Sequence, residues 1–283
     1  MDKNISFEPR MDAYQKFFDG EWFEKRTTET VGTVLYQPVF DLAAAWRYTG
    51  NVHFLPWLLA TVVQHATEMN VNKTKPFGKT YVSVVHRRLV KQMGSSLRKA
   101  QQQRMQKELD SIYEDVKGIG VVPKKLMPDM MWQKFLQNSE FQFALVGSQR
   151  LCYAAVYYSY EDFLTRCVGL ARTEPEYRMP RRSQFQKDFT GAFDAALCAQ
   201  CWTDKKVNLA RVTRHALVHN GCRVTDEFNK ALKAAKCPLV VDDGEIQIMA
   251  PDTSSLFHLL KDRATQLITA ALQHPNIKGV AAV

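Results

Sequence analysis

The sequence predicts a mainly α fold, and three observations predict it. Apolar residues recur at three- and four-residue spacing over long stretches, the period of a helix. Two-residue alternation is confined to short pieces near residues 30–38 and 222–250. Breakers gather in a few places, chiefly Gly118, Gly120 and Pro123, then Pro175 and Pro180, and leave long runs between them. With 46 % hydrophobic and 24 % charged residues the chain is globular rather than disordered. Its 283 residues hold one large domain or two small ones, at about 100–200 residues each.

Met11 to Glu24 carries Tyr14, Phe17, Phe18, Trp22 and Phe23 and reads as a short helix with an aromatic side. Residues 31–38 read as a strand or loop. A second short helix, Asp41 to Arg47, ends near Gly50. A third runs from Phe54 to Met69, with Pro56 tolerated in its first turn. Residues 70–78 form a loop by composition. The longest candidate, Val84 to Val116, keeps Leu89, Met93, Leu97, Met105, Leu109 and Ile112 at helical spacing. Between Arg87 and Lys107 its charges are all basic: Arg87, Arg88, Lys91, Arg98, Lys99, Arg104 and Lys107. That is either a face for a phosphate backbone or an ordinary solvated helix surface. The breakers at 118–123 mark a boundary, with residues 1–127 as an N-terminal helical region of unknown role and 128–283 as a second helical domain.

Pro128 opens a short helix. Phe141 to Arg172 follows, with Cys152, Val156, Tyr160, Phe163, Cys167 and Leu170 as one buried stripe and Glu161 and Asp162 at its middle. Thr173 to Arg182 is a polar loop whose Arg178, Arg181 and Arg182 make a second basic patch. Gln184 to Cys201 is helical, with Phe185, Phe189, Phe193 and Leu197 four apart. A helix over 204–219 comes next. Strand-like alternation in Arg223 to Phe228 and in Pro238 to Met249, around Asp243-Gly244, makes a short hairpin-like segment. The closing helix, about Thr253 to Leu272, aligns Leu256, Leu260, Leu267 and Ala271.

The formal charge of +9 and pI of about 9.2 favour a polyanionic partner. No apolar leader follows Met1, and the longest apolar run, Phe54 to Val63, is broken by Pro56 and too short for a bilayer. The expectation is a cytoplasmic protein with no membrane association. Six cysteines in so long a chain are no disulfide scaffold. Cys198-Ala199-Gln200-Cys201 has zinc-ligand spacing, but no second ligand pair follows it, and its alanine-rich surroundings favour helix-packing thiols. His215 and His219 are four apart, but Ala216 follows the first, where a zinc protease helix carries glutamate. No metal and no cofactor are expected.

The stretch Arg214-His215-Ala216-Leu217-Val218-His219-Asn220-Gly221 interests us most. Asp204 is suited to cap this helix and Gly221 to end it. Helical spacing puts Val207, Ala210, Arg214, Leu217 and Val218 on one side, so Arg214 interrupts an apolar stripe. A guanidinium there needs a partner, because an unpaired buried charge is costly. The bland alternative is an arginine snorkelling at the core edge beside a histidine that caps carbonyls. Arg214 and His219 are five apart and point different ways on an ideal helix. They converge only through the length of the arginine, fraying of the helix end, or a second copy across a dimer.

The stretch resembles the R-x4-H motif of the HEPN-domain superfamily, including the polar residue after the arginine and the Asn-Gly after the histidine. The order of long helices, motif helix, irregular or hairpin segment and closing helix is similar over roughly residues 128–275. The resemblance implies a HEPN-like helical bundle and metal-independent endoribonuclease activity. Arg214 and His219 would be catalytic, with His215, Asn220 and Glu161 binding or orienting the substrate. RNA would also meet Arg87, Arg88, Arg98, Lys99, Arg104, Arg181 and Arg182. The family commonly forms its site where two domains face each other, which implies a homodimer. Its usual biology implies a toxin–antitoxin or antiviral-defence role, with an antitoxin or defence partner protein. Its degenerate members imply the alternative, a non-enzymatic RNA- or nucleotide-binding module.

Overall fold

The computed structural model describes residues 8–71, 86–87, 99–117 and 128–278. It is mainly helical, with one two-stranded hairpin among the described residues. A 3-10 turn, Met11–Tyr14, precedes α1 (Gly20–Thr30) and α2 (Tyr36–Val71). Then come α3 (Lys99–Lys117), α4 (Pro128–Leu136), α5 (Ser139–Ala171), α6 (Arg182–Ala192), α7 (Ala195–Cys201), α8 (Lys205–His219) and α9 (Asp226–Ala235). The strands β1 (Val240–Asp242) and β2 (Glu245–Gln247) lead to α10 (Ala250–Gln273) and α11 (Pro275–Lys278).

The chain divides into two compact units, and the division is not the one expected at 127/128. One unit joins the segment up to Leu55 with everything from Ser139 on; the other is Pro56–Asn138. The first 55 residues are therefore not a separate region. Aromatic burial explains why. Phe17, Trp22, Leu35, Val39, Leu42 and Trp46 share one core with Tyr153, Val156, Tyr157, Phe257 and Leu260. Two buried indoles satisfy their N–H groups across that core: Trp22 donates to Thr265 Oγ1 (2.8 Å) and Trp46 to the Val156 carbonyl (3.1 Å). Lys261 donates to Asp19 (2.9 Å), and Arg166 to Asp41 (2.6 Å).

Several local expectations change. The aromatic segment 11–24 is a 3-10 turn, an extended link and the start of α1, which Asp19 caps by accepting from the Trp22 N–H. Residues 31–35 are turns and form no strand; α2 begins at Tyr36 and runs without a break through Gly50 and Pro56. Gly50 is there for contact: a β-carbon on it would stand 3.3 Å from Phe18 Cβ. The predicted helix over 184–201 breaks at Phe193–Asp194, where Asp194 caps α7. Residues 225–228 are not strand: Thr225 caps α9 through the Phe228 N–H. The predicted loop at 70–78 and most of the predicted helix from 84 lie outside the described residues, which include only α3 and residues 86–87 of the latter. The hairpin falls where expected, with Asp243 and Gly244 both at positive φ, as its tight turn requires.

Candidate functional site

The helix that carries the arginine and histidines forms for the local reasons given above. Asp204 accepts from the Lys206 and Val207 N–H groups and opens α8. Gly221 takes φ +58 beyond the last turn, and the Ala216 carbonyl accepts both the Asn220 and Cys222 N–H groups. Its core side is Val207, Leu209, Ala210, Val212, Thr213 and Ala216. Val218 does not belong to that side; it is 53 % exposed. The helix packs on α5 and on α9, and Arg214 sits at the edge of the packed face, half-buried.

Arg214 turns toward α5. Its guanidinium lies 5.6 Å from the centre of the Tyr158 ring. Its charge also acts on Glu161, one turn further along α5. Burial raises the pKa of Glu161, and the charges of Arg214 and Arg211 oppose that rise. Among the described residues Arg214 has no hydrogen bond or ion pair, and its Nε is buried without a partner. Two neighbours repeat the pattern. Tyr157, fully buried, leaves its hydroxyl unpaired, and Arg211 leaves its Nε unpaired while binding Glu227 at 2.7 Å. Arg182 faces the same group: burial and the Arg211 charge lower its pKa. Burial drives the Tyr157 phenol well above its ordinary value, Glu161 adds to the rise, and Arg211, Arg214 and Arg182 counter it. Three arginines, the carboxylates of Glu161 and Glu227 and an unpaired phenol thus form one linked electrostatic group on α5, α8 and the first turns of α6 and α9.

His215 and His219 stand together on the open side of α8, both exposed, with ring centres 4.9 Å apart. Five residues at 3.6 per turn separate His219 from Arg214 by about 140° around the axis. The turn at Gly221 does not close that angle, because α8 stays regular to His219. Asn220 is the helix cap, and its carbonyl accepts from the Arg223 N–H (3.1 Å).

The other expected residues belong to both units. Arg181 precedes α6 and is exposed. Arg87, Lys99 and Arg104 are exposed in the 56–138 unit, and Arg88 and Arg98 lie outside the described residues. Asp162, in contrast to Glu161, points to solvent beside Arg166. The Cys198 and Cys201 thiols are buried against the carbonyls of Gln186 and Arg263. Among the described residues no cluster of three or more potential metal ligands occurs. None of their helices is long and apolar enough to cross a membrane.

Sequence reasoning passed over Tyr157, Tyr158 and Arg211. The signal was present: 157 and 158 precede Glu161 by four and three residues, and 211 precedes Arg214 by three, so each group shares a helix face. Compared with known proteins, the chain matches no family model, no curated protein and no solved structure.

Proposed function

We propose that the protein is a metal-independent endoribonuclease acting at α8 as a homodimer. The observation that carries this reading is Arg214: an always-charged fork, held by the Tyr158 face and the field of Glu161, with no hydrogen bond of its own. A phosphate is the ligand that such a fork fits, because it accepts two parallel N–H bonds. In the reaction the ribose 2′-oxygen bonds to the adjacent phosphorus and the bond to the 5′-oxygen breaks. A base takes the 2′-hydroxyl proton and an acid protonates the leaving 5′-oxygen, giving a cyclic phosphate and a 5′-hydroxyl. His219 is the acid or base, His215 and Asn220 orient it and the RNA, and Arg214 stabilises charge on the phosphorane. The partner copy answers the wide angle between Arg214 and His219, by setting one copy's arginine opposite the other's histidine. A role as a toxin or defence effector, with a restraining partner, rests on the sequence resemblance.

Purified protein incubated with total RNA and tRNA in EDTA should yield fragments ending in cyclic phosphate. His219→Ala should lose about 10²–10⁴ in rate while remaining folded. Arg214→Lys should fail as well, since a point charge does not replace a planar fork. Equal cleavage by wild type and His219→Ala refutes the assignment. The same angular separation supports a second reading, a binding module for RNA or a nucleotide in which Arg214 and Arg211 hold phosphate without chemistry. RNA binding that is lost in Arg214→Ala, with no cleavage by wild type, would select it.

A further inference from the structure

A cavity of about 280 Å³ opens between α5, the beginnings of α8 and α10, and the turn that leaves α9. It is near the small end of ligand pockets, which run about 300–1,000 Å³. Its floor is apolar and buried, made of Leu209, Leu239 and Leu256. Two exposed lysines, Lys206 from α8 and Lys236 from the end of α9, stand on its walls. Lys236 holds φ 50 and ψ 42 at the α9 C-cap. Glycine takes that left-handed shape at least cost, so a lysine is an unfavourable local choice at this position on the cavity wall. The one carboxylate on the wall, Asp252, is engaged by the Met249 N–H (2.8 Å).

We propose that this cavity binds a small amphipathic monoanion, an apolar chain carrying one carboxylate. The chain lies among the three leucines, and the carboxylate meets the two ammonium groups. The site is separate from the arginine cluster and does not depend on ribonuclease activity.

Cys237 lines the same cavity and reports its occupancy. It is half-buried, whereas the other five cysteines are buried, so a small alkylating agent reaches it first. The experiment follows iodoacetamide modification of Cys237 by peptide mass in the intact protein, with octanoate as the probe and octan-1-ol as its uncharged match. Octanoate should slow the modification in a saturable way and at lower concentration than the alcohol. In Lys206→Ala/Lys236→Ala the half-protecting concentration should rise about tenfold, the scale of a lost charge-assisted contact. Both lysines are exposed, so the double variant should keep its thermal transition, which is measured alongside. Modification unaffected by octanoate, equal protection by the alcohol, or full protection in the double variant would each overturn the proposal.

Discussion

His53 shows how much one buried side chain can say about pH. It is fully buried, with Nδ1 3.0 Å from Gln149 Oε1 and Nε2 3.2 Å from the Ala13 carbonyl. A neutral imidazole donates through one nitrogen only, so two facing acceptors do not suit it. Gln149 Nε2 is buried without a partner, so turning that amide over lets it donate to Nδ1 while Nε2–H donates to Ala13. Burial lowers the His53 pKa, and the Ala13 carbonyl, an acceptor, opposes the shift. The unfolded state therefore takes up the proton first on acidification. Stability contributed by neutral His53 is complete above the ordinary pKa of 6.5 and is lost as pH falls through the folded value. Urea unfolding from pH 7 to pH 5 should show a falling free energy, with His53 contributing at most about 1.4 kcal/mol per pH unit. His53→Gln should show a shallower slope; parallel slopes would remove His53 from this role. Nothing in the sequence around His53 marks it, because both partners lie far along the chain.

At the scale of elements, two glycines on α5 make a paired test. Glycine inside a helix costs about 0.5–1 kcal/mol relative to alanine, so replacement should stabilise wherever there is room. A β-carbon on Gly147 meets nothing within 4 Å, whereas one on Gly169 would stand 2.9 Å from the Glu174 carbonyl oxygen and from Tyr177 Cβ. Gly147→Ala should raise the urea midpoint and Gly169→Ala lower it; a rise in both would mean that the loop after α5 yields freely. The same contrast explains what was legible. α5, α8 and α10 were readable because their signals are local: apolar stripes, the Asp204 cap, the Gly221 stop. The unbroken course of α2 was not, because Gly50 and Pro56 carry the local marks of an end. What overrides them at Gly50 is Phe17 and Phe18, packed against it from the link before α1. α9 was misread since Val224, Thr225 and Phe228 suit a strand as well, and only the Thr225 cap decides. At the candidate site the arginine and histidines were legible as residues. The grouping of Arg214 with Tyr158, Glu161 and Arg211 needed the packing of α8 on α5.

For the whole molecule, the proposed dimer and the compact unit can be tested separately. If the partner completes the site, the protein should run as a dimer in light scattering at micromolar concentration. Two inactive variants, Arg214→Lys and His219→Ala, should regain part of the cleavage when mixed, since one mixed site keeps both wild-type groups. A fully active monomer would end that reading. The unit formed by residues up to 55 and from 139 has its own core, so it should survive loss of what lies between. His53 touches Gln149, and Gln149 is about 15 Å along α5 from Ser139. A flexible linker of roughly ten residues spans that distance. Replacing 56–138 with one should leave a single cooperative thermal transition and a helical spectrum. Collapse to a molten state would show that the core needs the excised part.

A core assembled from both ends of a chain also sets an order of events during synthesis. Trp22, Trp46 and Val39 leave the ribosome long before Phe257, Leu260 and Leu267, which they accompany in the core. Until α10 has been translated, a growing chain can cover those aromatics only in part, against α5. At about 5–20 residues per second that wait lasts on the order of ten seconds or more, ample time for a chaperone to engage. Premature termination anywhere before α10 would thus release a sticky fragment rather than a smaller folded protein.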